Sequence, residues 1–251
     1  MTEVSVIIPG IRTDRWINLY NSIGLSTKRD FELIICGPYY PPMEMHRLRN
    51  FKFISDYGSP ARAQSIASEF ATGKYITWGA DDAIFIPEAL DFLIDLMEKN
   101  TLLDGIMCKY LEGANGTYKV TQPNSYFALN GSTWTNSSHF HNDFPLFNAG
   151  ILKLDAFKKL GGWDCSYEVA FYSYADMAAR ACINKTPIGF SEIMLLDCDH
   201  SPGESNDHKP IHDAQTYSDV GIFKSRYGGN LSIIDPKSWK DSPKVWTRRF
   251  N

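Results

Sequence analysis

Two acids stand side by side at Asp81-Asp82, directly after the apolar run Lys74 to Trp78 (KYITW) and before Ala83-Ile84-Phe85-Ile86-Pro87 and a helical pattern. Carboxylates at a strand end that opens on a crevice supply the hard oxygen ligands a divalent cation needs, and such a cation can bridge them to phosphate oxygens. The same pair can also be read as turn residues or a helix cap, where acids are common. The choice depends on the elements around them.

Val4 to Pro9 (VSVIIP) is a continuous β-branched apolar run closed by Pro-Gly, which predicts a strand buried on both faces. Phe31 to Cys36 (FELIIC) repeats that pattern, and Phe51 to Ile54 is a short third strand. Between the first two, Trp16, Leu19, Tyr20 and Ile23 fall at helical spacing within Arg15 to Gly24. Ser59 to Phe70 has helical propensity and ends at Gly73; Lys74 to Trp78 is a fourth strand. Pro87 to Lys99 carries Leu90, Leu93, Ile94 and Met97 on one face of a helix, and Gly105 to Tyr110 is a fifth strand. Strands alternating with helices predict an α/β fold with a mostly parallel central sheet flanked by helices. Ligands of such sheets sit beyond the carboxyl ends of the strands, which is where Asp81-Asp82 falls. From Gly113 to Pro145 the pattern gives way to Asn, Ser, Thr, Gly and aromatics, typical of hairpins and long functional loops. Regular signal returns at Asn148 to Leu154, Asp155 to Leu160, Ala175 to Cys182 and Ile193 to Asp197. With no internal repeat or linker, the 251 residues read as one domain: a nucleotide half (about 1–112), an acceptor half (about 113–220) and a C-terminal tail (about 221–251).

A net charge of −4 from interleaved acids and bases excludes the basic footprint of a nucleic-acid binder. Five widely spaced cysteines without a CxxC pair suggest neither zinc nor a redox motif. MTE leads straight into an apolar strand, without a basic leader, and no apolar run approaches the roughly 20 residues that span a bilayer. These features predict a cytoplasmic chain whose membrane association, if any, is peripheral. The tail WKDSPKVWTRRFN mixes Trp239, Trp246 and Phe250 with Lys240, Lys244, Arg248 and Arg249. Contact with an anionic membrane and packing back onto the domain are both open readings.

The order VSVIIP, FELIICG, a helix, then ATGKYITWGADDAIFIPEAL resembles family 2 of the GT-A-fold glycosyltransferases. The resemblance spans about Val4 to Leu93 and resumes from Asn148 to Arg180. It implies an inverting transfer of a sugar from a UDP-, GDP- or TDP-linked donor to a hydroxyl of a glycan or lipid-linked acceptor, assisted by Mn2+ or Mg2+. Aligned on Tyr75-Ile76 and Pro87, Ala80, Asp81 and Asp82 fall on the family's three-residue acidic metal motif. By that resemblance Asp82 binds the metal and Asp81 contacts the ribose or assists; Ala80 departs from the pattern. Base recognition departs too, because Gly37 follows Cys36 where an acid is usual. Ala63-Gln64-Ser65 replaces a triplet containing Arg, with Arg62 nearby as a substitute. The loop Pro9-Gly10-Ile11-Arg12 offers backbone groups to the nucleotide.

FNAGILKLDAFKKLGGWD resembles the segment that lines donor sugar and acceptor. It implies Asn148 and Gly150 beside the donor, and Gly162, Trp163 and Asp164 facing the acceptor. The glycines also fit a tight turn and Trp163 also fits the core. Tyr174-Ala175-Asp176 with Arg180 resembles the family's acidic helix start, implying Asp176 as the general base that activates the acceptor hydroxyl; a first-turn acid serving the helix dipole is the alternative. Leu195 to Gly203 reads as a strand running into a polar loop, and the resemblance makes His200 the first and His208 the second candidate to complete a metal shell. Two other readings stay open. One is a sugar nucleotidyltransferase, which lacks its glycine-rich basic loop here; the other is a catalytically degenerate carbohydrate-binding protein, favoured by Ala80, Gly37 and Gln64.

Overall fold

The computed structural model describes residues 2–114, 117–121, 126–127, 134–135, 147–199, 207–227 and 234–250. β1 (Val4–Pro9), β2 (Phe31–Gly37), β3 (Phe51–Ser55) and β4 (Tyr75–Trp78) pair in parallel in the order β3-β2-β1-β4, as their unbroken apolar runs predict. α1 (Trp16–Ser26) follows β1, and α2 (Pro60–Glu69) precedes β4 with Ser59 as its N-cap, the hydroxyl accepting from Arg62 N. β5 (Ala83–Phe85), α3 (Ala89–Lys99) and β6 (Gly105–Ala114) complete the first half.

Beyond β7 (Thr117–Thr121), which pairs antiparallel with β6, two short strands, β8 (Tyr126–Phe127) and β9 (Trp134–Thr135), pair with each other. β10 (Gly150–Lys153) then enters the main sheet antiparallel, between β4 and β6. It leads into α4 (Leu154–Lys159), α5 (Ala170–Ile183) and β11 (Ile188–Asp199). β11 pairs in parallel with β6 and antiparallel with β5, so the nine-stranded sheet runs β3-β2-β1-β4-β10-β6-β11-β5 with β7 beside β6. The sheet is therefore mixed, its parallel half carrying the acid pair. α6 (Lys209–Ala214), a π-helical turn (Gln215–Asp219) and α7 (Val220–Tyr227) follow.

Each face of the sheet is covered. On one side Ile8, Val6, Leu33 and Ile35 pack with Trp16, Leu19 and Ile23 of α1 and Leu90, Leu93, Ile94 and Met97 of α3. On the other, Ile7, Ile34, Ile76 and Trp78 pack with α2, α4, α5 and α7. Each such large apolar side chain, once fully buried, contributes about 1.5–3 kcal/mol, which makes these two layers the main source of stability. Among the described residues no helix is long and apolar enough to cross a membrane.

Asp219 belongs to this frame. Its carboxylate is fully buried and accepts from Glu168 N (3.0 Å) and Val169 N (2.9 Å), capping α5 from a distant turn, since Val169 offers no side-chain cap. Burial outweighs these backbone donors and pushes its pKa from 3.8 to about 6. A carboxyl that binds its proton more tightly folded than unfolded loses stabilising effect as pH rises between those values. Relative to Asp219→Asn, the native chain should lose thermal stability from pH 4 toward pH 6; parallel melting curves across that window would refute the shift.

Candidate active site at the ends of the parallel strands

β1 and β4 are neighbours in register, Ile7 opposite Trp78, so the loops that follow them meet. Asp81 joins the two. Its Oδ2 accepts from Ile11 N and Arg12 N, each at 2.5 Å, and from Trp16 Nε1 at 3.4 Å, and its Oδ1 accepts from Arg12 Nη1 at 2.5 Å. The carboxylate is 2% exposed and saturated with donors. It shapes the Pro9-Gly10-Ile11-Arg12 loop rather than presenting free oxygens.

Asp82 is held differently. Its backbone carbonyl accepts from Asp199 N at 2.9 Å, a bond that follows from β5 pairing with the end of β11. Its side-chain Oδ2 stands 3.7 Å from both Arg12 Nη1 and His208 Nε2, too far for hydrogen bonds but within Coulombic reach. Arg12 Nη2 reaches on to Asp207 Oδ2 at 2.6 Å. Arg249 in turn grips Asp207 through Oδ1 (2.8 Å) and the backbone carbonyl (2.7 Å). Burial pulls the Arg12 guanidinium down, yet Asp81, Asp82 and Asp207 outweigh it and hold its pKa above the ordinary value. Arg15 pairs with Asp199 at 2.9 Å on the same rim. Nearby in electrostatic terms, the fully buried Tyr174 hydroxyl accepts from Gln64 Nε2 at 2.6 Å; burial first, then Cys198, Tyr110 and Asp82, pushes its pKa up.

The fit of this set to Mn2+ or Mg2+ follows from its donors. Asp81 Oδ2 is taken by three N–H donors and Oδ1 by Arg12, Asp82 and His208 could supply two ligands, and the Arg12 guanidinium lies against the acid pair. Among the described residues no group of three His, Cys, Asp or Glu side chains is placed to hold a metal. His200, expected as a ligand, lies outside the described residues. The arrangement does not fit a divalent ion while Arg12 holds its place.

Several expected site residues lie elsewhere. Asp176 sits in the second turn of α5 rather than at its start, fully buried. It accepts from Arg180 Nε (2.7 Å), Tyr227 OH (2.7 Å), Arg226 Nη1 (3.2 Å) and Tyr167 OH (3.3 Å). Four donors in a sealed pocket leave no approach for an acceptor hydroxyl. Asp164 is likewise fully buried, accepting from Ser166 N, Lys237 N and Arg226 Nη1. Trp163, 1% exposed, packs its ring 5.1 Å from Trp78 and 5.0 Å from Tyr174, so it is core and no sugar platform. Gly162 has φ +68°, a left-handed turn that suits glycine, and its carbonyl accepts from Arg180 Nη2. Arg62, 3% exposed, is spent on Asp56 and on the tail carbonyls of Trp239 and Ser242. Gly37 and Gly150 are packed against backbone: an added Cβ would meet Gly10 O at 1.8 Å and Ile106 O at 2.5 Å. Asn148 Oδ1 is buried and takes no hydrogen bond among the described residues, the one member of the expected donor-sugar set with unspent polar capacity.

The tail packs inward. Trp246 is 6% exposed against Val169 and Ala214, with Phe250 alongside, its Nε1 donating to Glu168 Oε2 at 2.5 Å. Asp207, which the sequence did not single out, carries no local motif; only the folded chain brings it to Arg12 beside the acid pair.

No protein-family model matches the sequence, and no curated protein matches it either. Among solved structures, S. aureus TarS 1-349 is similar at 15% identity and TM-score 0.61, covering 92% of this chain and 67% of that one. TarS 1-349 in complex with UDP-GlcNAc aligns at TM-score 0.59 over 79% of this chain and 58% of that one, and the complex with UDP at 0.60 over 92% and 68%. The fold is that of a GT-A-type glycosyltransferase, a mixed, mostly parallel sheet flanked by helices.

Proposed function

We propose that this protein transfers a glycosyl unit from a nucleotide-diphosphate sugar to a hydroxyl of a glycan or lipid-linked acceptor. The observation that carries the reading is the acid pair at the carboxyl end of β4, joined to the loop after β1, in a fold shared with a protein solved with UDP-GlcNAc and with UDP. In open α/β sheets this crevice is where nucleotides bind. The loop from Pro9 to Arg12 and the oxygens of Asp82 face the nucleotide in this reading, and Asn148 Oδ1 is a buried acceptor for a donor-sugar hydroxyl.

In the reaction the acceptor oxygen forms a bond to the anomeric carbon as the bond to the diphosphate breaks, the electron pair leaving with the diphosphate oxygen and the acceptor proton passing to solvent. Inversion is carried over from the family resemblance. The general base is not, because Asp176 would have to shed four donors to reach a substrate; it is assigned to the fold.

Calorimetry with UDP, GDP and TDP tests the reading. One nucleoside diphosphate is expected to bind in the micromolar range, about −8 kcal/mol, and its sugar conjugates to be hydrolysed slowly. If none of the three binds, the transferase reading fails. The burial of Asp176, Asp164 and Trp163 favours a second reading, a carbohydrate-binding protein that has lost transfer; binding of a nucleotide with no hydrolysis of any of its sugar conjugates would select it.

A further inference from the structure

We propose that Arg12 is the resident cation of the acid pair, and that its guanidinium and a divalent metal ion exclude one another at Asp81-Asp82. The metal that the fold family implies and the donors present at the site disagree, and Arg12 accounts for the disagreement.

Three carboxylates converge on one guanidinium. Arg12 Nη1 lies 2.5 Å from Asp81 Oδ1 and 3.7 Å from Asp82 Oδ2, while Nη2 lies 2.6 Å from Asp207 Oδ2. The side chain is 15% exposed and those of Asp81 and Asp82 are 2% and 5% exposed, so the charges interact in a poorly solvated pocket. The neighbouring cations are committed: Arg15 to Asp199, Arg249 to Asp207. Arg12 is therefore the resident positive charge against the pair, offsetting part of its two negative charges.

Its position is built into the backbone. Ile11 N and Arg12 N both donate to Asp81 Oδ2, so the carboxylate that receives the guanidinium also fixes the peptide that carries it. Asp207, pinned by Arg249 from the tail, closes the far side. A guanidinium in such a cage is planar, permanently charged and multiply bonded, and an ion at Asp82 would meet its charge at close range.

The donor count adds a ligand-facing consequence that rests on the proposed transferase reading. A guanidinium has five N–H groups. Arg12 Nε is buried and without a hydrogen-bond partner among the described residues. An orphaned buried donor is costly, and a diphosphate oxygen is the acceptor that would relieve it and use the same positive charge. In this arrangement Arg12 compensates the leaving diphosphate where a metal would otherwise do so.

The test uses the full chain and Mn2+ alone, followed by calorimetry or by the electron paramagnetic resonance of free Mn2+. The native protein should bind Mn2+ at least about tenfold more weakly than Arg12→Ala. In that variant two adjacent buried carboxylates lose their counter-charge, and Asp82→Asn added to it should abolish the gained site. Arg12→Gln, which keeps part of the aliphatic stem and a polar amide but not the charge, should gain Mn2+ in the same sense and guards against misfolding of the alanine variant; circular dichroism confirms that each is folded. Native protein that binds Mn2+ as tightly as the variants, or variants that gain no site, overturns the proposal. These arms need no nucleotide, so they stand even if the transferase reading fails. If a nucleoside diphosphate does bind, it should bind the native chain equally in EDTA and in Mn2+, whereas Arg12→Gln should bind it only with Mn2+ added. Loss of native binding in EDTA would overturn the assigned role toward the diphosphate.

Discussion

Asp176→Ala should unfold at markedly lower urea, with a loss of about 3–5 kcal/mol in unfolding free energy, because it removes one partner of a buried charge cluster and leaves the others charged. Arg180 is 3% exposed and would keep its guanidinium in the core facing an empty space, its remaining bonds being to the carbonyls of Leu160 and Gly162. Arg226, which bridges Asp176 and Asp164, is left with Asp164 alone, and Tyr167 and Tyr227 lose their acceptor. Such a loss takes a large share of the roughly 5–15 kcal/mol that holds an ordinary domain. Asp176→Asn keeps the shape and should cost less than alanine while still lowering the urea midpoint. The contrast with a catalytic role is measurable. A base replaced by its amide leaves the midpoint unmoved and abolishes turnover, so an unchanged midpoint in both variants would return Asp176 to the chemistry.

Gly37→Ala should be the most damaging single methyl in the molecule. The added Cβ would stand 1.8 Å from Gly10 O, a backbone atom that cannot rotate away, so the end of β2 must separate from the turn after β1. Overpacking of side chains alone costs about 1–3 kcal/mol, and a clash with backbone exceeds that. Gly10 N also donates to Cys36 O at 3.0 Å, so the displacement strains a bond at the same junction. The turn it displaces carries Ile11 N and Arg12 N onto Asp81, so any folded fraction should also have lost the arrangement proposed to bind nucleotide. Gly24→Ala provides the control: nothing lies within 4 Å of the added methyl, and in the last turn of α1 alanine should stabilise by up to about 0.5–1 kcal/mol. If both substitutions melt at the same temperature, the close contact at Gly37 is not real.

How much of this was legible beforehand depends on the range of the interactions. β1, β2, β4 and α3 were legible because burial on one or both faces writes a continuous or helical apolar pattern into a short window. β5 was not: three residues, Ala83–Phe85, become a strand only because β11 arrives more than a hundred positions later to pair with them. β11 itself runs from Ile188 to Asp199, longer than the apolar stretch Ile193 to Asp197, because irregular register near Ser191 and Met194 breaks its alternation. α5 begins at Ala170 and not near Ala175, since Phe171, Tyr172 and Tyr174 disguise a helix whose middle is buried on nearly every side.

For the site, the acid pair and the loop after β1 were visible as separate features, but their union at Asp81 spans about seventy positions. Asp176 and Arg180, four apart on a helix, match a catalytic element and equally match an intrahelical ion pair, and the folded chain forms the pair. For Trp163 and Asp164 residue type alone fits a ligand or the core, and the folded chain buries both.

The place of β10 between β4 and β6 has a consequence for how the chain is made. A polypeptide leaving the ribosome finishes β4 and β6 well before residues 150–153 exist to lie between them, so two strand edges of the future sheet wait without their shared neighbour. Open edges of this kind template pairing with other chains. A fragment that ends before residue 150 would carry both edges exposed permanently and should aggregate where the full chain does not.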